Sequence, residues 1–200
     1  MPMDLIQRCV DRELKLINKG EPQKVYVIGI DLAKQQDETV VIILGRDKEE
    51  FTLRHIDAWS KMDYTEQVAR IGELGEKFRI VGGAVDQTGV GEAIIEDLKA
   101  EIRAVEGVKF TQKTKLELAS GLRWSMEHEI LVMPDDQKLI AQLNSLHYRI
   151  GNTGELVFES SASHDDYLWA LALAVYAARK AQASTQRPIV RSLNFRHHEY

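Results

Sequence analysis

The sequence predicts an α/β domain, and three observations carry that prediction. Val25–Ile30 and Val40–Leu44 are short runs rich in Val and Ile, the pattern of buried strands rather than helix. Strand-type and helix-type segments then alternate, giving the order β-β-β-α-β-α-β-α before a further helix, a hairpin and a last helix. That last helix, Tyr167–Ala181, is apolar nearly all round, as a helix buried on every side must be. A chain of 200 residues, 44% of them hydrophobic, suits one globular domain with a sizeable core.

Charge and cysteine content narrow the function classes. Lys and Arg total 26 against 31 Asp and Glu, a formal net charge of -5. General nucleic-acid binders are usually basic, so any surface for DNA must be local. An acidic cluster that holds metal would account for part of the imbalance. Cys9 is the single cysteine, which excludes an internal disulfide and a zinc site built on several thiolates. The opening MPMDLIQRCV has no apolar core behind a basic start and does not read as a signal peptide. The longest apolar run, Tyr167–Ala178, falls short of the roughly 20 residues that span a bilayer. A soluble, intracellular protein without a membrane segment is expected.

In chain order, Leu5, Ile6, Cys9, Val10, Leu14 and Ile17 fall at helical spacing, so an amphipathic helix is expected over 1–20, ended by Lys19-Gly20-Glu21-Pro22. Strands follow at about 24–32, 39–45 and 50–58, joined by short turns and therefore antiparallel. Asp63 and Glu66 have the spacing of a capping box, which assigns Asp63 to structure and starts a helix that runs to Lys77. Arg79–Val85 is the next strand. The turn Gln87–Glu92 lacks the G-x-x-x-x-G-K-[ST] pattern of a phosphate loop, so its glycines serve a close strand-to-helix approach. A helix over 89–103, a strand near 108–110 and a helix over 114–129 come next. Asp135 and Asp136 read as first-turn acids of a helix over 137–146. His147–Ile150 and Glu155–Glu159 form a hairpin around Gly151–Gly154. Residues 182–200 read as a flexible, basic tail.

The chemistry lies at the strand ends. Asp31 follows the apolar run Tyr26–Ile30, and Asp86 follows Arg79–Val85 in the same way. A carboxylate at the end of a core strand is costly unless something pairs with it. Alone, each would read as a residue that starts a turn; the repetition argues otherwise. A right-handed crossover would make the two strands parallel. As neighbours they would set the two acids about 5 Å apart. Carboxylates that close repel unless one protonates or a cation lies between them. Mg²⁺ or Mn²⁺, hard ions that prefer oxygen, would resolve this. His164, Asp165 and Asp166, at the head of the last helix, would form the third wall.

These residues resemble a family. The G-I-D-x-A…D-x-T element (Gly29, Ile30, Asp31, Ala33, Asp37, Thr39), the strand ending in Asp86 with Gly89 and Gly91 behind it, and the final H-D-D-x-x-x-A-L-A-x-A over His164–Ala174 look like the nuclease domain of the large terminase subunit of tailed bacteriophages. The resemblance runs from about Val25 to Ala181. It implies a ribonuclease H-like fold, with a central mixed five-stranded sheet, flanking helices and an additional β-hairpin, and a metal-dependent endonuclease that cuts double-stranded, concatemeric viral DNA in the host cytoplasm. On this resemblance Asp31, Asp86 and Asp166 match the catalytic acids, and Asp37 and Asp165 match accessory acids near two divalent cations, Mg²⁺ or Mn²⁺. It also implies two-metal hydrolysis, the ions roughly 4 Å apart, one activating water and the other stabilising the leaving oxygen. No Walker A sequence occurs, so residues 1–23 are expected to link residues 24–181 to an ATPase motor domain upstream. Portal and small terminase subunit are the further partners implied.

His164 either orients the attacking water or bonds a neighbouring acid or backbone group at the helix start. DNA needs phosphate contacts around the acids, for which Lys34, Lys113, Lys115, Arg123, His147 and Arg149 are the candidates. The hairpin just before the third acid is expected to gate duplex access. Other readings share these features: a junction resolvase, transposase or hybrid nuclease of the same fold, a nucleotide-binding domain of actin or sugar-kinase type, and a non-catalytic assembly module.

Overall fold

A computed structural model describes residues 1–33, 38–47, 50–150, 156–160 and 164–185. Its elements are α1 (Met3–Arg8), β1 (Val25–Asp31), β2 (Glu38–Asp47), β3 (Glu50–Ser60), α2 (Tyr64–Lys77), β4 (Ile80–Asp86), α3 (Glu92–Glu101), β5 (Val105–Val108), α4 (Gln112–Glu127), β6 (Leu131–Val132), α5 (Gln137–Ser145), β7 (Leu146–Ile150), β8 (Leu156–Ser160) and α6 (Asp166–Thr185). The main sheet has the order β5-β4-β1-β2-β3-β6, and β7 and β8 form a separate hairpin. The mixed sheet of five strands is present as β1 to β5, with the two-residue β6 added at the β3 edge. β1 runs antiparallel to β2 and parallel to β4, as the crossover argument requires.

Helices cover both faces of the sheet, which is why its central strands read as unbroken apolar runs. Val27, Val40, Ile42, Leu44 and Ala84 pack with α6, α4, α5 and α1. Tyr26, Ile28, Ile30, Val41, Ile43 and Val85 pack with α2 and α3. The capping box forms: Glu66 N–H donates to Asp63 Oδ1 at 2.9 Å and Glu66 Oε2 accepts from Asp63 N–H.

The crossing of α6 over β1 sets the site. At Gly29 a Cβ would lie 2.1 Å from the Ala170 carbonyl oxygen and 2.3 Å from Ala174 N, so only glycine admits the helix this close. Ala177 and Ala181 lie over Gly82, further back along the sheet, so α6 runs antiparallel to β1 and β4. Two residues forward along β1 is about 6.6 Å, and one turn back along α6 is about 5.4 Å. Asp31 and Asp166 therefore arrive at the same end.

Several boundaries differ from the sequence expectation. The helix expected over 1–20 is confined to α1. Beyond it Val10 bridges Met133, Asp11 N–H donates to Met133 O, and Ile17 N–H donates to Arg54 O, so the chain follows the β3–β6 side of the sheet. The apolar spacing there serves edge contacts rather than a helical face. The strand near 108–110 lies at Val105–Val108, with Phe110 outside it. Asp136 is the N-cap of α5, accepting from Leu139 N–H at 2.8 Å, rather than a first-turn acid. α6 starts at Asp166 and continues to Thr185; the hairpin tip and residues 186–200 lie outside the described residues. Among the described residues no helix is long and apolar enough to cross a membrane.

Candidate active site

Strand alternation aims two acids at one volume. Val27 and Gly29 face α6, so Asp31, next in the period of two, does too. On β4, Ala84 belongs to the same face, which carries Asp86 to the same side. The last registered pair of the two strands is Ile30 with Val85, one step short of Asp31 and Asp86. Asp166, on the helical face of Ala170 and Ala174, completes the group from above.

The electrostatics agree with this placement. The Asp31 carboxyl is held well above the usual carboxylate range, first by burial and then by the charges of Asp86, Asp166 and Asp165. Asp86 is raised as well, mainly by burial, and is eased back by Thr88, whose N–H donates to Asp86 Oδ1 at 2.7 Å. Lys115 pulls both acids the other way. Its ammonium lies 4.6 Å from the Trp169 ring centroid and 5.3 Å from that of Phe110, and the two rings are 5.2 Å apart. Both residues are linked to the acids, Trp169 directly through its ring and Phe110 through its backbone and Thr88. Trp169 Nε1–H donates to Asp165 Oδ2 at 2.8 Å, and Phe110 N–H donates to Thr88 Oγ1 at 2.7 Å.

The donor set fits a hard divalent cation: oxygen ligands, excess negative charge, and a buried carboxyl that gains most when a cation neutralises it. Among the described residues no three acids, histidines or cysteines already stand close enough to form a ready-made cage.

The remaining site expectations divide. Lys34 and Asp37 lie outside the described residues. His164 is exposed, just ahead of α6, and Lys113 is exposed at the start of α4. Arg123 donates to Glu127 at 2.7 Å and covers the Tyr148 ring at 5.4 Å. With His147, Tyr148 and Met1 it lines a cavity of about 280 Å³ beside β7. His147 and Arg149 are exposed on β7. Of the basic candidates among the described residues, Lys115 is the one that acts on the acids. Thr88, Phe110 and Trp169 escape sequence reasoning; the signal available for Trp169 is an indole one turn after Asp165 in an otherwise aliphatic helix.

Residues 28–178 match the family described as the Terminase RNaseH-like domain. The large terminase subunit of Thermus phage G20c is 29% identical over 166 residues, covering 80% of this chain and 33% of that protein. That of Thermus virus P23-45 matches to the same extent. The chain thus spans about a third of the length of these curated relatives. The G20c large terminase nuclease crystallised with bound magnesium has a TM-score of 0.72 at 25% identity, over 87% of this chain and 95% of that one. The HK97 bacteriophage large terminase shares the fold, with a TM-score of 0.67 at 14% identity over 88% of this chain and 42% of that one. With a mixed sheet that gathers its acids at one end, and a family match over most of its length, the chain belongs to the terminase RNaseH-like domain family.

Proposed function

We propose that this chain is the divalent-metal-dependent endonuclease domain of a large terminase subunit, cutting double-stranded viral DNA concatemers during genome packaging. The observation that carries the reading is geometric: the parallel register of β1 and β4 and the crossing of α6 at Gly29 bring Asp31, Asp86 and Asp166 to one end of the sheet on one face. Asp31, Asp86 and Asp166 would hold two cations, Mg²⁺ or Mn²⁺, with Asp165 and Asp37 as accessory acids. The G20c large terminase nuclease has been crystallised with bound magnesium and with bound cobalt, which supports a divalent cofactor here. When bound, such ions supply charge that polarises the scissile phosphate and acidifies the attacking water.

The protein's own groups do the rest. Asp31, as the central acid, orients the site along the axis of β1. Asp165 keeps Trp169 in place, and Trp169 with Phe110 holds the Lys115 ammonium where a phosphate oxygen would approach the acids. His164, exposed just ahead of α6, would contact DNA or water. In the full-length subunit the domain would work beside an ATPase motor, with portal and small terminase subunit as partners and the host cytoplasm as its setting.

A plasmid-nicking assay with Mg²⁺, Mn²⁺ or EDTA, run beside Asp31→Asn, tests this. Metal-dependent cutting that vanishes in the variant is expected. Cutting that survives in Asp31→Asn or in EDTA would sink the reading.

A further inference from the structure

We infer that two buried glutamines, Gln67 and Gln142, are positioning residues for the acids: Gln67 fixes the exit of β1 behind Asp31, and Gln142 fixes the head of α6 at Asp166. The inference rests on the proposed metal role of those acids.

At β1, both backbone polar groups of Ala33, two residues past Asp31, are taken by buried side chains. Ala33 N–H donates to Thr39 Oγ1 at 2.8 Å, and Gln67 Nε2 donates to Ala33 O at 3.3 Å. Thr39 Oγ1–H donates to Gln67 Oε1 at 2.7 Å, and Gln67 Nε2 also donates to Met62 O at 2.9 Å. Thr39 is 1% exposed and Gln67 2%. The Thr39 hydroxyl accepts one bond and donates one, and the Gln67 amide accepts one through Oε1 and donates two through Nε2, as their chemistry allows. A buried network satisfied in this way admits one geometry, because any displacement strands a polar group in low dielectric. Its contacts join β2, α2 and the chain directly behind Asp31, so the backbone that leaves Asp31 is held against the sheet.

At α6, Gln142 Oε1 accepts from Tyr167 N–H at 2.8 Å and from Leu168 N–H at 3.2 Å. These are first-turn amides, which have no partner inside their own helix. Gln142 comes from α5 and is 6% exposed. It therefore ties the residues just after Asp166 to a different element. The same device, a buried amide on a backbone group one or two residues past an acid, occurs on both sides of the site. Elsewhere in the described core the buried polar residues are His55 and Ser125, which lie away from the acids.

Thr39→Val, Gln67→Met and Gln142→Met test this, with Asp31→Asn as control. Mn²⁺ affinity by calorimetry, amide exchange of Ala33, Tyr167 and Leu168, and kcat and KM on plasmid DNA are the readouts. Outer-shell changes of this kind cost about 10- to 100-fold in metal affinity or activity. That loss is expected in kcat and Mn²⁺ affinity with KM nearly unchanged, alongside faster exchange of the released amides. Thr39→Ser and Gln142→Glu, which keep the acceptor oxygen, should restore both quantities. Folded variants with wild-type Mn²⁺ affinity and kcat would overturn the inference. Thr39→Val and Gln67→Met disturb one shared relay and Gln142→Met a separate contact, so a failure to fold at one end of the site leaves the other end to decide. Should Asp31→Asn itself bind Mn²⁺ as the wild type does, the metal reading fails instead.

Discussion

Lys115 sets its ammonium 4.6 Å from the ring centroid of Trp169, and the indole N–H of that ring is bonded to Asp165. A lysine beside acids would ordinarily fold onto one of them as an ion pair. Here Trp169 and Phe110 hold it by their ring faces, an attraction on the order of 0.5–2 kcal/mol. The cation thus remains near Asp31 and Asp86 and stays available to a phosphate.

Lys115→Met should lower cutting by about 10- to 100-fold, the range for residues that support a metal site, with little change in thermal stability. Because Lys115 lowers the proton affinity of both acids, its loss should also move the acid limb of Mn²⁺ binding to higher pH. Calorimetric titrations across pH on the two proteins check this; an unmoved acid limb would remove Lys115 from the site.

Asp31 ties stability to pH in a defined direction. Its carboxyl holds a proton more tightly in the folded chain than the ordinary carboxylate near 3.8. The folded state therefore binds more protons, and without metal the contribution of Asp31 is favourable below the unfolded value and is lost as pH rises through the folded one. Metal needs the deprotonated acid, so binding Mn²⁺ should release protons in that window. Asp31→Asn, which carries no charge, should melt above the metal-free wild type near neutral pH, by about 2–4 °C for each kcal/mol gained. It should lose the stabilisation that Mn²⁺ gives the wild type. Melting curves with and without MnCl₂ at several pH values test both statements; an Asp31→Asn variant less stable than wild type at neutral pH would refute the first.

Much of this site was legible because strand and helix periods are strict. A run that ends in Asp31 and a second that ends in Asp86, with a crossover between, leave little freedom once β1 and β4 pair in parallel. The Asp63–Glu66 cap was equally readable, since its spacing specifies its own hydrogen bonds. Gln67 and Gln142 were not. In sequence each is a polar residue on an amphipathic helix, and nothing local distinguishes a buried amide from a solvated one. Lys115 was visible as a charge, but its aromatic holders come from α6 and the residue before Thr111, so only the fold assembles them. The segment 1–20 misled because six apolar residues can match a helical period by chance while the backbone bonds elsewhere.

Asp63 provides a test of which acids are structural. Its side chain caps α2, and Asp63→Ala should cost about 1 kcal/mol. Chemical denaturation should register that loss while Mn²⁺ affinity and plasmid cutting stay at wild-type values. A drop in Mn²⁺ affinity would bring Asp63 into the metal site and contradict its assignment as a cap.

Gly29→Ala separates packing from chemistry at the point where the site is built. The added methyl would meet Ala170 O and Ala174 N, backbone atoms that cannot rotate away, so α6 must lift from β1. Overpacking of this kind costs about 1–3 kcal/mol, which should appear as a lower melting temperature. The functional loss should be larger than the stability loss implies. Asp166 sits one turn from the contact, and a shift of about 1 Å at a reacting centre can cost on the order of 100-fold in rate. The check is to measure kcat and Mn²⁺ affinity at a temperature where Gly29→Ala is fully folded. A folded variant that cuts at the wild-type rate would show that the close approach at Gly29 serves the core alone and does not set the position of Asp166.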